Sequence, residues 1–212
     1  MIEIIRELNE TTLKRVVRVI DDGGVIAFPT ETVYALAADA SNSEAVNRIY
    51  AIKRRFTDKA LPILVGDIYQ AKRIAEFDER AKKLAFRLFP GPITLVLKSK
   101  THSNLSINVN QQSGGTIGIR MPNHLPAIKI LQAVGRPLVG TSANISNQES
   151  AVDGYQVLRD FDNQIDLLVD KGETQHGIPS TIIDLTTEKV KILREGVISR
   201  AAIEEILGES TF

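Results

Sequence analysis

The chain has 212 residues, 43% of them hydrophobic, enough to bury a sizeable core. Twenty-six basic residues balance twenty-six acidic ones, so overall charge argues for no polyanion partner, and any nucleotide or RNA site must come from local clustering. Cysteine is absent, which excludes disulfides, thiolate catalysis and the usual structural zinc site and fits a reducing, cytoplasmic setting.

The first residues, with Glu3 and Glu7 and no long apolar core, do not read as a signal peptide, and no apolar run approaches a membrane span. Residues 11–22 follow a helical period, with Leu13, Val16, Val17 and Ile20 on one face, Thr11 or Thr12 as cap, and Gly23 and Gly24 as the stop. The organising stretch is 24–36. Val25 to Phe28 form an apolar run that predicts a strand buried on both faces, and sheet pairing is expected to fail at Pro29, which has no N–H. Thr30, Glu31, Thr32 and Tyr34 follow at once. They fit either a ligand site past the end of a buried strand or a polar turn with a helix cap.

Residues 43–53 predict a helix with Ala45, Val46, Ile49 and Tyr50 inward and Ser43 as N-cap. It runs into Lys53-Arg54-Arg55 and Lys59, four cations in seven residues, which fit either a solvated helix terminus or an anion site. A buried strand is expected at 61–65 and a turn at Gly66-Asp67. Two helices opened by aspartate follow, at 67–75 and 78–89. Pro90-Gly91-Pro92 breaks the chain before a strand at 93–98 that puts Thr94 and Val96 on one side. The polar stretch 101–115 is expected to be a long mobile loop, with a lid as one role.

A strand at 116–121 brings Arg120 to its end, and a helix at 124–134 turns Leu125, Ile128, Leu131 and Val134 inward, with Gly135 at its C-terminus. A short strand at 137–140 delivers Thr141-Ser142-Ala143-Asn144, whose small polar side chains fit a pocket lining or a Ser/Asn turn. A helix at 153–161, strands at 167–169, 180–185 and 190–193, the segment Arg194-Glu195-Gly196 and a capped helix at 199–207 complete the chain. There is no Gly-x-Gly-x-x-Gly after a strand and no Walker loop. His102, His124 and His176 are too far apart for a ligand set or triad and read as surface or turn residues.

Taken together and in order, several stretches resemble the YrdC/TsaC family. They are Pro29-Thr30-Glu31-Thr32-Val33-Tyr34, Lys53-Arg54-Arg55, Lys59, Pro90-Gly91-Pro92-Ile93-Thr94, Gly118-Ile119-Arg120-Met121-Pro122, Ser142-Ala143-Asn144 and Ser180-Thr181-Ile182-Ile183-Asp184. The resemblance implies an α/β fold, an open twisted mixed sheet with flanking helices around a large positively lined cavity, as one YrdC-like domain over residues 1–212. It also implies an L-threonylcarbamoyladenylate synthase, a nucleotidyltransferase that makes threonylcarbamoyl-AMP and pyrophosphate from L-threonine, bicarbonate and ATP for tRNA modification. By that resemblance Thr32 and Arg120 hold threonine, with Thr141 and Ser180 beside it. Lys53, Arg55 and Lys59 face the phosphates, Lys53 and Arg55 as catalytic groups, and Thr116, Ser142, Asn144 and Arg194 line the nucleotide side. Mg2+ accompanies ATP without a dedicated protein site. A tRNA-modifying transferase is the implied user of the product, and contact with tRNA or double-stranded RNA stays open.

These residue types suit that chemistry. An Arg fork binds a carboxylate bidentately, and fixed cations offset charge on a departing pyrophosphate. Glu31 is either a base for the amine or a structural carboxylate. The chain departs from the family pattern at Phe56 and Ala60, where proline is common, and at Asn147, where glycine is common, while Leu64 matches the short members. The alternatives are a basic RNA-binding module, for which stacking aromatics are scarce, and a related enzyme that adenylates a different carbamate.

Overall fold

The computed structural model describes residues 2–57, 59–101, 104–106 and 115–208. Its elements run β1 (Glu3–Ile5), α1 (Glu10–Asp21), β2 (Ile26–Pro29), β3 (Tyr34–Asp39), α2 (Ser43–Ile52), β4 (Ile63–Leu64), α3 (Ile68–Ile74), α4 (Glu79–Leu88) and β5 (Ile93–Lys98). They continue as β6 (Thr116–Arg120), α5 (Leu125–Val134), β7 (Leu138–Ser142), α6 (Gly154–Phe161), β8 (Leu167–Val169), β9 (Thr181–Asp184), β10 (Lys191–Arg194) and α7 (Arg200–Leu207). The strands form one mixed sheet in the order β1-β8-β2-β3-β7-β4-β6-β5-β9-β10. Most of the expected 101–115 loop, residues 102–103 and 107–114, and with it the lid, lies outside the described residues.

Local chemistry sets the helix starts. Asp67 and Asp78 cap α3 and α4 as expected, accepting from the Gln70 and Ala81 amides. The caps of α1 and α2 differ from expectation: Asn9 and Asn42 serve, one residue before each helix. Asn9 is the better acceptor because it forms a reciprocal box with Thr12, which bonds back to the Asn9 amide at 2.9 Å. The buried face of α5 is also turned from the expected one. Ala127, Ile130, Leu131 and Val134 are buried, whereas Leu125 is 63% exposed, because α5 packs on α1 and β2 through the small Ala127.

The sheet is covered unequally. One face buries Leu36, Ile63, Leu95, Ile119 and Ile183 under α2, α3, α4, α6 and α7. The other face packs Ile26, Phe28, Ala35, Ala37 and Leu138 against α1 and α5, on the β2–β3–β7 half. On the β6–β5–β9 half of that second face, Val96, Thr116, Gly118 and Ile182 are only half-buried, while the alternate residues Leu95, Ile117, Ile119 and Ile183 are buried. No third helix covers this half among the described residues, and it carries the hydroxyls, the glycine and the arginine of the strands.

Pairing continues through Pro29, which stands opposite Tyr34, contrary to expectation. The proline lacks an N–H, but its carbonyl accepts from His124 Nδ1 at 3.0 Å, and the Tyr34 amide finds the Ala151 carbonyl instead. His124 is therefore half-buried and bonded, not a surface residue. A carbonyl only accepts, so Nδ1 carries the proton. Strand β7 extends past Gly140 through Thr141 and Ser142, which pair with Leu36 and Ala35, so these two end a strand and do not form a turn.

Gly140 is required by packing. A Cβ there would lie 2.3 Å from Leu64 Cγ, and Leu64 is itself buried. Gly140→Ala is expected to destabilise the protein by about 1–3 kcal/mol through overpacking. The loss should be smaller on a Leu64→Ala background than on the wild type, as a cycle of denaturant midpoints would show.

Candidate active site

A cavity of about 140 Å³ lies against the half-covered part of the sheet. Ala35, Gly140, Thr141 and Ser142 line one side, Thr94, Ser180 and Ile182 another, and Ala60 and Pro62 the edge. Three guanidinium-bearing residues, Arg55, Arg120 and Arg194, converge on it from a loop, β6 and β10. Among the described residues no carboxylate lines this cavity.

Arg120 is 8% exposed and its position is fixed from behind. Its Nη2 donates to Thr30 Oγ1 (3.2 Å), Glu31 Oε1 (3.0 Å) and Thr32 Oγ1 (2.8 Å). The hairpin turn between β2 and β3 supplies all three acceptors and is itself closed by the Thr30 hydroxyl donating to the Val33 carbonyl at 2.7 Å. Burial lowers the pKa of Arg120 and the Glu31 charge opposes that shift. Two atoms of the ion pair, Glu31 Oε2 and Arg120 Nε, are buried without a hydrogen-bond partner among the described residues. The turn is thus neither a solvent-facing polar turn nor a helix cap; it is a carboxylate and two hydroxyls folded inward onto one guanidinium.

Arg194 donates from Nε to the Ser180 carbonyl (2.9 Å) and from Nη2 to Ser180 Oγ (3.2 Å), and Ser180 Oγ also meets Thr94 Oγ1 at 3.0 Å. Burial, then the like charges of Arg120 and Arg55, push the pKa of Arg194 down. Arg55 donates to the carbonyls of Lys59 (3.3 Å) and Ala60 (3.1 Å). Like charges around Arg194 in a concave site favour an anion between them.

The expected site residues therefore divide. Arg55, Arg120, Thr141, Ser142, Ser180 and Arg194 line the cavity. Thr32, with no exposed surface, stands behind Arg120. Lys53 does not face the cavity as expected. It is 1% exposed and its Nζ is taken up by the Ser142 carbonyl, the Asn144 carbonyl (2.7 Å) and Asn144 Oδ1 (3.0 Å). Asn144 likewise turns its amide inward, donating to the Ile145 (3.0 Å) and Gln148 (2.8 Å) carbonyls. Lys59 is exposed, and its backbone carbonyl, not its ammonium, holds Arg55. Thr116 shares the face of Arg120 but lies four residues, roughly 13 Å, along β6 and outside the cavity lining. Sequence reasoning gave no role to Thr94, although its alternation with Ile93 and Leu95 marks it as facing away from the core. Tyr34, buried against the cavity wall, donates its hydroxyl to the Gly172 carbonyl at 2.8 Å and so fixes the segment that leads to Ser180.

A larger cavity of about 510 Å³ lies at the other end of β3, beside Asp39 and Arg136. Those two charges pair with each other at 2.6 Å, and none of the expected site residues lines it.

Removing the guanidinium of Arg120 strands a buried carboxylate. Arg120→Met should cost about 3–5 kcal/mol of folding stability, and Glu31→Gln on that background should recover a large part of it. Urea denaturation of the two single variants and the double variant measures both values.

The model of the Sua5/YciO/YrdC family, described as telomere recombination, matches residues 18–196. A threonylcarbamoyl-AMP synthase of Pyrococcus abyssi is 37% identical over 210 residues, 99% of this chain and 61% of that protein. A threonylcarbamoyl-AMP synthase of Bacillus subtilis is 35% identical over 201 residues, 94% of this chain and 58% of that protein. The crystal structure of P. abyssi Sua5 complexed with L-threonine superposes with a TM-score of 0.92 at 37% identity, over 99% of this chain and 61% of that one. The chain thus spans about three-fifths of the length of these relatives. With the family model covering most of its length and the mixed sheet shared with Sua5, the chain belongs to the Sua5/YciO/YrdC family.

Proposed function

We propose that the chain is a threonylcarbamoyl-AMP synthase, which converts L-threonine, bicarbonate and ATP to threonylcarbamoyl-AMP, pyrophosphate and water. The observation that carries this reading is the convergence of Arg55, Arg120 and Arg194 on one cavity that also holds the Ser180 and Thr94 hydroxyls. The reaction must crowd a carboxylate, a carbamate and a triphosphate together. Two like charges 4 Å apart repel by about 4 kcal/mol near a protein surface, so fixed cations are a precondition.

In this reading Arg120 takes the threonine carboxylate, with Ser180 and Thr94 offering hydroxyls beside it. Arg55 and Arg194 face the phosphates, and Thr141 and Ser142 border the nucleotide. The amine adds to bicarbonate with loss of water, the carbamate oxygen attacks the α-phosphorus, and pyrophosphate leaves. Proximity and the pre-placed charges supply the acceleration, which makes the chain a nucleotidyltransferase without a covalent enzyme intermediate. Magnesium enters as part of MgATP. In this reading phosphate oxygens and water would be its main ligands.

The product is an activated acyl-adenylate, and a cytoplasmic tRNA-modifying transferase would consume it. Direct contact with tRNA or double-stranded RNA is a further part of the proposal. No helix among the described residues is long and apolar enough to cross a membrane.

Purified protein should release pyrophosphate from MgATP only when L-threonine and bicarbonate are both present. Release without threonine, or with carbamoyl phosphate in its place, overturns the reading in favour of a different carbamate. No release at all, with RNA retained on the protein, overturns it in favour of a binding module. Arg55→Ala should slow release by roughly 100-fold or more. It should cost far less stability than rate, because Arg55 is only half-buried and its bonds to the Lys59 and Ala60 carbonyls lie in a loop. Equal loss of rate and of melting temperature would return Arg55 to a structural role.

A further inference from the structure

We propose that Lys53 is a positioning residue whose ammonium locks the C-terminal end of α2 to the end of β7, and so sets Arg55 against Ser142 in the cavity. The three oxygens around its Nζ come from Ser142 and Asn144, and they match the three N–H donors of an ammonium one for one. A ligand phosphate would have to displace one of them, and Lys53 does not line the cavity.

The lock is tied from both sides. The Ser146 amide donates to the Lys53 carbonyl at 2.9 Å, and Ser142 Oγ donates to the same Asn144 Oδ1 at 2.6 Å. The Asn144 amide nitrogen holds the carbonyls of Ile145 and Gln148, so the segment from 142 to 148 folds around one lysine. On the helix side Lys53 is the C-cap of α2, and Arg54 follows at φ 49. The Arg54 and Arg55 amides return to the Ala51 and Tyr50 carbonyls, each at 3.0 Å. This left-handed turn, with an arginine where glycine is usual, aims the chain at the cavity. Lys53 fixes the turn at one end and the β7 wall at the other.

The lock is protonation-dependent. Burial and the like charge of Arg55 push the pKa of Lys53 down to about 7. Arg55 is the charged group that acts on it, and among the described residues the facing Ser142, Asn144 and Ser146 carry no charge. A neutral amine has two N–H groups and a lone pair, so one of the three oxygens then loses its donor. The network is therefore complete below a pH of about 7 and loosens above it.

The kinetic part of the test rests on the synthase reading; the exchange part does not. Amide hydrogen exchange is measured on the full chain and expressed as protection relative to the intrinsic rate. In the wild type, protection at Ser146 and Arg55 should fall at least tenfold between pH 6 and pH 8.5, while β5 and β9 stay constant. Arg55→Gln removes the like charge and should move the midpoint upward. Lys53→Met, which keeps the bulk, should abolish protection at Ser146 at every pH. Lys53→Arg should not restore it, because a planar fork does not fit three oxygens around one point. In the pyrophosphate assay Lys53→Met should lower kcat and leave the KM for threonine within threefold.

Unchanged protection at 142–148 in Lys53→Met, with weakened binding of inorganic pyrophosphate, would overturn the proposal and make Lys53 a phosphate ligand. If Lys53→Met does not fold, the wild-type and Arg55→Gln pH series decide alone, and a pH-independent Ser146 overturns it. A wild type that shows the exchange behaviour but no threonine-dependent release sinks the synthase reading and leaves the lock standing.

Discussion

Confining three guanidinium groups in one small cavity is the constraint on which the rest of the site depends. Left to themselves they repel, and burial together with the like charges of Arg120 and Arg55 lowers the pKa of Arg194. Each is therefore anchored by oxygen on its outer side. Arg55 is held by two loop carbonyls and Arg194 by the carbonyl and hydroxyl of Ser180. Arg120 pairs with a formal counter-charge, Glu31, at 3.0 Å. A buried ion pair of this kind is weak evidence for stability, since desolvation of both charges offsets most of their attraction. Its effect is geometric: the guanidinium is held in one direction by the protein itself, so the cost of ordering it is already met.

The sheet makes room for this arrangement by leaving half of one face without a helix. Two helices cover the face over β2, β3 and β7, and the rest must be finished by polar side chains and loops. Gly118 shows how tightly the strand layer fits there, since a Cβ would approach Thr94 Cγ2 to 3.3 Å. Apolar side chains on that face, Val96 and Ile182, stay half-buried, and threonine, glycine and arginine fill the positions between them.

Most of the fold was legible where a local signal decided it. The aspartate caps of α3 and α4 and the strands at 93–98 and 167–169 fall where the sequence places them. Strand β3 was not legible. Its centre, Ala35-Leu36-Ala37-Ala38, is poor in β-formers and owes its conformation to antiparallel neighbours on both sides. In the site, the arginines could be named from their motifs, because a charge beside small polar residues needs an explanation wherever it folds. The direction in which Lys53 points could not. It depends on oxygens 89 and 91 residues away in the chain, and a lysine buried among carbonyls reads in sequence like one that faces a phosphate.

The positions where the chain departs from its family pattern fit this division between anchored charges and adaptable loops. Asn147 replaces a common glycine and takes φ 70, the left-handed region that asparagine enters more readily than most side chains, so the loop that carries Asn144 keeps its course. Phe56 replaces a common proline but is 77% exposed, so the change costs the loop rigidity and disturbs no buried contact. Ala60, the other position where proline is common, lends its carbonyl to Arg55 at 3.1 Å, a bond either residue can accept. Each departure leaves in place the oxygen atoms that hold the cations. A cavity built this way asks of its loops only that they return certain carbonyls to certain places, and leaves their side chains free to change.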